Sequence, residues 1–367
     1  MGHPLSIMVK PASGMCTMDC AYCFYHDEMA QRKEADRGFM SQETMHQIIV
    51  KALKEARGSV SIAFQGGEPT LRGRKFFEDA FAFADEHNSR HIPLHWSIQT
   101  NGLALDSEWC GLFREHEVLV GISLDGTRAI HDAWRHDRTG NATYERVVRS
   151  CALLKDAGVS FNILTVVTGQ AAGKAPAIYQ NLKRLGSGWL QFIPRMDSLD
   201  ESKEAGLWHL GAEEYGTFLN GLFASWYRDA QKGVQPHIRL FDNWMGILQG
   251  YLPEACDMRG ICSDQYVFEA DGTCYPCDFY MTDPFCLGQI AKDSFEDFDQ
   301  ARDGMHFIEP SQRLPKRCHA CPYVNICRGG CMRYRDAEGT YRFCASYEKF
   351  FRASLPKMLT LAAEAKQ

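Results

Sequence analysis

The sequence predicts a parallel α/β fold of six strand–helix units, followed by a segment organised around metal. Three observations carry that expectation. Six short apolar runs alternate with amphipathic stretches in the first half, four of those runs end in polar or glycine residues, and cysteines crowd the stretch from Cys256 to Cys344.

The strand expectations are residues 4–10 (PLSIMVK), 60–65 (VSIAFQ), 94–100 (LHWSIQT), 118–125 (VLVGISLD), 160–168 (SFNILTVVT) and 189–194 (WLQFIP). Each is short and rich in β-branched or aromatic residues, as a strand buried on both faces should be. Between them lie the helical patterns SQETMHQIIVKALKEA, KFFEDAFAFADEH, SEWCGLFREH, YERVVRSCALLKDAG and APAIYQNLKRLG, with Ser41 as a helix start and Gly158 and Gly186 as stops. Six repeats fit an open barrel or a doubly wound sheet. FQGGEPT, IQTNG, ISLDG and LTVVTG put polar and glycine residues at strand C-terminal ends. That face carries the active site in α/β barrels, although ordinary turns favour the same residues. Residues 26–38 (HDEMAQRKEADRG) form a charged loop placed to cover a site or touch a substrate. Residues 205–255 look helical and aromatic, and SYEKFFRASLPKMLTLAAEAK reads as a terminal helix that Pro356 kinks or breaks.

Composition narrows the function classes. With 45% hydrophobic and 23% charged residues, the 367-residue chain is an ordinary globular protein. A net charge of -6 leaves no electrostatic footprint for nucleic acid or an anionic membrane. The start, MGHPLSIMVK, lacks the basic and apolar regions of a signal peptide, and no apolar run approaches the roughly 18 residues of a membrane span. The expected location is the cytoplasm, where 15 cysteines argue for metal ligation rather than disulfides.

The cysteines fall into two kinds of pattern. Cys16, Cys20 and Cys23 stand in C-x3-C-x2-C spacing with no fourth cysteine nearby. A four-iron cluster on three thiolates keeps one iron open, as a catalytic zinc keeps an open position. Downstream, Cys274/Cys277 and Cys318/Cys321 alone would suit a two-knuckle zinc site, but that leaves Cys256, Cys262, Cys327, Cys331 and Cys344 over. Two four-cysteine iron–sulfur sites absorb most of them.

With Phe24 after the triad and Gly66-Gly67-Glu68-Pro69 at the end of the second strand, the chain resembles the radical S-adenosylmethionine superfamily. The series Cys262, Gly272, Cys277, Cys318, Cys321, Cys327, Cys331 and Cys344 is similar to the SPASM subfamily. KPASGMCTMDCAYCFYH, AFQGGEPTLRG, SIQTNG, LVGISLDG, FNILTVVT, LQFIPR and YPCDFY resemble the anaerobic sulfatase-maturating enzymes within it. The resemblance implies a partial (β/α)6 barrel over residues 1–235, a cluster-binding domain over 236–347 and a C-terminal helix over 348–367. It implies S-adenosylmethionine and three [4Fe-4S] clusters, held by Cys16, Cys20 and Cys23, by Cys256, Cys262, Cys277 and Cys331, and by Cys318, Cys321, Cys327 and Cys344. Cys274 is not an expected ligand, and Cys110, Cys151 and Cys286 have no assigned role.

The implied activity is oxidation of a cysteine or serine of a sulfatase to Cα-formylglycine through a 5′-deoxyadenosyl radical. Gly66, Gly67 and Glu68 would hold the cofactor's amino group, with Gln99, Ser123 and Asp125 at its ribose or carboxylate and Phe24 beside the cluster. Asp278 would be the general base, with Tyr25, matching a catalytic tyrosine of the family, and Gln65 bordering the substrate. The implied partners are an unfolded or nascent sulfatase and an electron donor such as ferredoxin or flavodoxin, with the enzyme a monomer. Absence of an N-terminal leader-binding domain favours this activity over the alternative, a ribosomal-peptide maturase forging a thioether or other crosslink.

Overall fold

A computed structural model describes residues 4–198 and 208–364. Residues 205–207 of the expected helical segment and 365–367 of the terminal helix lie outside that range.

The first six strands are β1 (Leu5–Val9), β2 (Val60–Phe64), β3 (Leu94–Thr100), β4 (Leu119–Ser123), β5 (Phe161–Val167) and β6 (Trp189–Pro194). They pair in parallel in chain order, which is the barrel arrangement and not the reversed order of a doubly wound sheet. The barrel does not close. The free edge of β6 pairs with β7 (His237–Ile238), and the free edge of β1 pairs in parallel with β8 (Tyr266–Phe268). Antiparallel β9 (Thr273–Tyr275) and β10 (Gly288–Gln289) complete one ten-stranded sheet. The cysteine-rich region is thus a continuation of the barrel sheet, so the two expected domains share a hydrogen-bonded seam.

The helices obey their sequence signals. Ser41 caps the helix Gln42–Glu55, its hydroxyl accepting from the Thr44 amide at 3.0 Å. Gly186 ends Ala175–Leu185 in the left-handed region at φ 78°. One expectation fails. The strands are buried on one face rather than both, with β2 alternating buried and half-buried residues and β5 doing the same. Val60, Ile62 and Phe64 join the core, whereas Ala63, Gln65, Ser97, Gln99, Gly121 and Asn162 line a cavity of about 830 Å³. An open barrel of six strands leaves room for a ligand where a closed one would be filled by side chains.

Pro356 does not break the chain: the terminal helix runs unbroken from Cys344 to Glu364. Burial on both sides of the proline offsets its lost hydrogen bond, since Phe350 and Phe351 precede it and Met358 and Ala362 follow it in the core. Trp244 of Arg239–Gln249 anchors the packing, with ring centroids 4.9 Å from both Phe350 and Phe351. Among the described residues no helix is long and apolar enough to cross a membrane.

Candidate active site

The cysteine triad sits in the loop after β1, and the GGEP segment braces it from behind. The amides of Gly67 and Glu68 donate to the Ser13 and Met15 carbonyls at 2.9 and 2.7 Å. A Cβ on Gly67 would lie 2.0 Å from the Met15 oxygen, so only glycine permits the approach. Glu68 is fully buried, and its carboxylate accepts from Thr70 and Thr100 hydroxyls, both at 2.7 Å, and from the Asn101 amide at 2.8 Å. Asn101 in turn donates to Thr17 at 2.9 Å and to the Cys16 sulfur at 3.6 Å. Cys20 belongs to Met18–Cys20, which pairs antiparallel with Arg135–Asp137. Tyr22, between Cys20 and Cys23, donates to Asp125, and Arg135 donates to the Tyr22 hydroxyl at 3.0 Å.

Asp125 and Glu68 therefore hold the cluster loop in place. Asp125 is 1% exposed and also accepts from the Val166 amide at 3.0 Å. Neither carboxylate presents an open face to a cofactor. Gln99 and Ser123 do face the barrel interior, joined by a 2.9 Å hydrogen bond, and Gln99 lines the 830 Å³ cavity. Phe24 packs edge-on against Phe279 of the cysteine-rich region, with centroids 5.3 Å apart.

The eleven ligand candidates gather as three groups. Burial pushes the Cys16 and Cys20 thiols up to about 11, and the triad thiols raise one another further. Burial also dominates at Cys277 and Cys331, and their mutual influence with Cys256 and Cys262 makes one set. Cys327 feels Cys344, Cys318 and Cys321, which makes the other. Cys331 thus crosses back to the first set in space. Cys274 is buried in β9 beside Cys286, apart from both sets. Cys110 and Cys151 are core residues.

The donor chemistry fits iron–sulfur clusters. All eleven candidates are thiols, the usual donor set of such clusters. Backbone amides of Met18 and Phe279 point at the sulfurs of Cys16 and Cys277, at 3.4 and 3.5 Å, the kind of hydrogen bond that tunes a cluster. Thiols this buried give up their protons when metal takes their place.

Between the triad and the first four-cysteine set, four side chains from four segments meet. Lys10 pairs with Asp278 at 2.9 Å, Tyr25 donates to Asp278 at 2.8 Å, and Gln65 donates to both Asp278 at 3.0 Å and Tyr25 at 2.8 Å. The Lys10 ammonium also sits 4.1 Å from the Tyr25 ring centre. The sequence reading named Tyr25, Gln65 and Asp278 but missed Lys10, whose place just beyond β1, at the catalytic rim, was the available signal.

The charged loop is a clamp. Its first part is the helix Phe24–Ala30, and Arg32 crosses to Glu269 at 2.5 Å and to the Met281 carbonyl. Arg37 binds Asp271 and, at 2.8 Å, Thr273. Glu28 is 2% exposed, has no hydrogen-bond partner for either oxygen, and lies 4.0 Å from Arg32. Burial raises its carboxyl to about 8 against the pull of Lys10.

Comparison with known proteins places this geometry. The Radical SAM superfamily profile matches residues 11–180, and the iron-sulfur cluster-binding domain called SPASM matches residues 256–322. The fold and site are those of a radical S-adenosylmethionine enzyme with an auxiliary iron–sulfur domain, which uses S-adenosylmethionine and [4Fe-4S] chemistry. A cysteine-type anaerobic sulfatase-maturating enzyme of Clostridium novyi is 37% identical over 98% of this chain and 97% of its own. A serine-type enzyme of Klebsiella aerogenes is 30% identical over 95% and 84%. The solved structure of native anSMEcpe with bound AdoMet and Cp18Cys peptide superposes with a TM-score of 0.93 at 36% identity, covering 99% of this chain and all of that one. The chain belongs to the anaerobic sulfatase-maturating enzymes.

Two outcomes test the site. Cys331→Ala should remove the same cluster signal as Cys277→Ala and leave the Cys318 set intact, in Mössbauer spectra of reconstituted protein; loss of the Cys318 set instead would break the grouping. A carboxyl raised on folding supports the fold below its unfolded value near 4.5 and withdraws that support as pH rises through about 8. Glu28→Gln should therefore flatten the fall in stability between those pH values, read from urea midpoints, whereas an unchanged slope would place the titration elsewhere.

Proposed function

We propose that this chain oxidises a cysteine of an unfolded or nascent sulfatase to Cα-formylglycine, working in the cytoplasm as a monomer with electrons from a ferredoxin or flavodoxin. One observation carries the reading: Asp278 meets Lys10, Tyr25 and Gln65 between the cysteine triad and the Cys256, Cys262, Cys277 and Cys331 set. The cysteine-type relative matches at 37% identity against 30% for the serine-type one, which supports cysteine as the target.

Cys16, Cys20 and Cys23 would hold the cluster that serves S-adenosylmethionine, and the pair would supply the radical chemistry that removes a hydrogen atom at the target Cβ. This chain's own residues do the rest of the positioning and the proton work. Gln65 and Tyr25 fix the orientation of the Asp278 carboxylate, and Asp278 receives the thiol proton. Lys10 is 1% exposed and compensates the charge of the buried Asp278 carboxylate across 2.9 Å. Gln99 and Ser123 would meet the cofactor in the barrel interior, while Gly66 and Gly67 let the triad loop approach closely.

Anaerobic incubation with S-adenosylmethionine, dithionite and a sulfatase-motif peptide tests this by mass spectrometry. A cysteine peptide should lose about 18 mass units, and its serine counterpart should lose about 2 at a lower rate. Release of 5′-deoxyadenosine over an unmodified cysteine peptide would count against this substrate.

A further inference from the structure

The set formed by Cys318, Cys321, Cys327 and Cys344 lies within a basic surface. Between residues 310 and 335 the chain carries six Arg or Lys and no Asp or Glu, although the whole protein has a net charge of -6. Arg313, Lys316, Arg317 and Arg259 are exposed, and among the described residues none of them forms an ion pair. Their charge is left for something outside the molecule. Arg317 is near enough to Cys318 and Cys344 for both thiols to feel it, against the larger effect of burial.

The same face has an apolar centre. A cavity of about 710 Å³ opens between Ile247, Leu248, Leu314 and Val324, with Arg259 and Arg328 in its lining. Pro322 and Ile326, the chain neighbours of Cys321 and Cys327, line it too, so its floor adjoins the second four-cysteine set. The turn that follows Ile247 and Leu248 leaves Tyr251 68% and Leu252 84% exposed, and Ile261 is exposed beside Gly260 of the cavity wall. The acidic exception beside Leu252 is Glu254, which is paired with Arg239. Exposed apolar side chains beside unpaired like charges are the anatomy of a transient protein interface, where charge steers the encounter and a small apolar contact seats it.

We propose that this face docks an acidic one-electron carrier protein over the Cys318, Cys321, Cys327 and Cys344 site. The occupant follows from the surface. Unpaired cations call for an acidic partner, and a cysteine set next to the cavity floor gives the contact a purpose, because electron transfer needs close approach. Redox encounters also fall at the small end of interface sizes, which suits a single cavity with a charged rim. A nucleic acid would want aromatic stacking platforms along a continuous groove, and this centre is aliphatic. The proposal rests on the catalytic reading for its electron: substrate oxidation releases one more electron than hydrogen abstraction consumes, and the oxidised carrier takes it. With a flavodoxin as carrier, the flavin gains that electron and a proton from solvent.

Fully reconstituted enzyme and an acidic flavodoxin test the idea. Affinity measured by calorimetry should fall as salt rises. Arg313→Glu combined with Lys316→Glu should weaken it by about 10-fold or more, and Leu252→Asp, which leaves the charges alone, should weaken it by a comparable factor. Electron transfer from chemically reduced enzyme to oxidised flavodoxin, read from the flavin absorbance, should slow in both variants. Both should keep their iron content and their dithionite-driven turnover. Binding and electron transfer are measured without peptide, so they fail or succeed independently of the catalytic reading. Unchanged affinity and transfer in both variants would overturn the proposal, as would no binding by the parent enzyme or a preference for single-stranded RNA over flavodoxin.

Discussion

The structure depends on one ladder of hydrogen bonds, the parallel pairing of Tyr266–Phe268 with Leu5–Val9. Its register sets Ile7 opposite Tyr266 and Val9 opposite Phe268, and the Lys10 amide extends it to the Phe268 carbonyl at 2.8 Å. Because the barrel is open, β1 has an edge to give, and a cysteine-rich region with little core of its own takes it. The seam fixes where residue 278 can go. Ten residues beyond Phe268, Asp278 arrives beside Lys10, at the rim where Gln65 ends the neighbouring strand. Arg32 and Arg37 clamp the same seam from the loop after the triad.

The charges divide by task. Glu68 and Asp125 both hold the cysteine loop, each accepting hydrogen bonds at both carboxylate oxygens. Asp278 is held by a lysine, a tyrosine and a glutamine. A buried ion pair such as Lys10–Asp278 contributes little net stability, because desolvation offsets the Coulomb attraction, while removing one partner costs about 3–5 kcal/mol. Its place in the site is better explained by reactivity than by stability. The proposed cluster ligands divide in the same way, three where an iron would stay open and four where a cluster would be closed.

Much of this was legible in the sequence, because short parallel strands and cysteine spacings are local signals. The six strands fall within the residues expected for them, and the strand-end motifs FQGGEPT and IQTNG do meet, through Glu68, Thr100 and Asn101. What was not legible depends on burial. The alternation within β2 and β5 was hidden by small residues such as Ala63, which look like core but face the cavity. Lys10 looked like the tail of a strand, and Glu28 and Arg32 like parts of a charged loop over a site or substrate, because composition does not say which charges a second domain will cover. Pro356 looked like a break because a proline's local cost is visible in sequence and the packing around it is not.

The central claim is that hydrogen abstraction and proton removal are separate tasks, the second belonging to Asp278. A sulfatase-motif peptide with cysteine deuterated at Cβ, offered to the parent enzyme and to Asp278→Asn, measures both at once. Deuterium should enter 5′-deoxyadenosine with either protein, and only the parent should convert the peptide to formylglycine. Formylglycine at the parent rate from Asp278→Asn, with its iron content intact, would contradict the account.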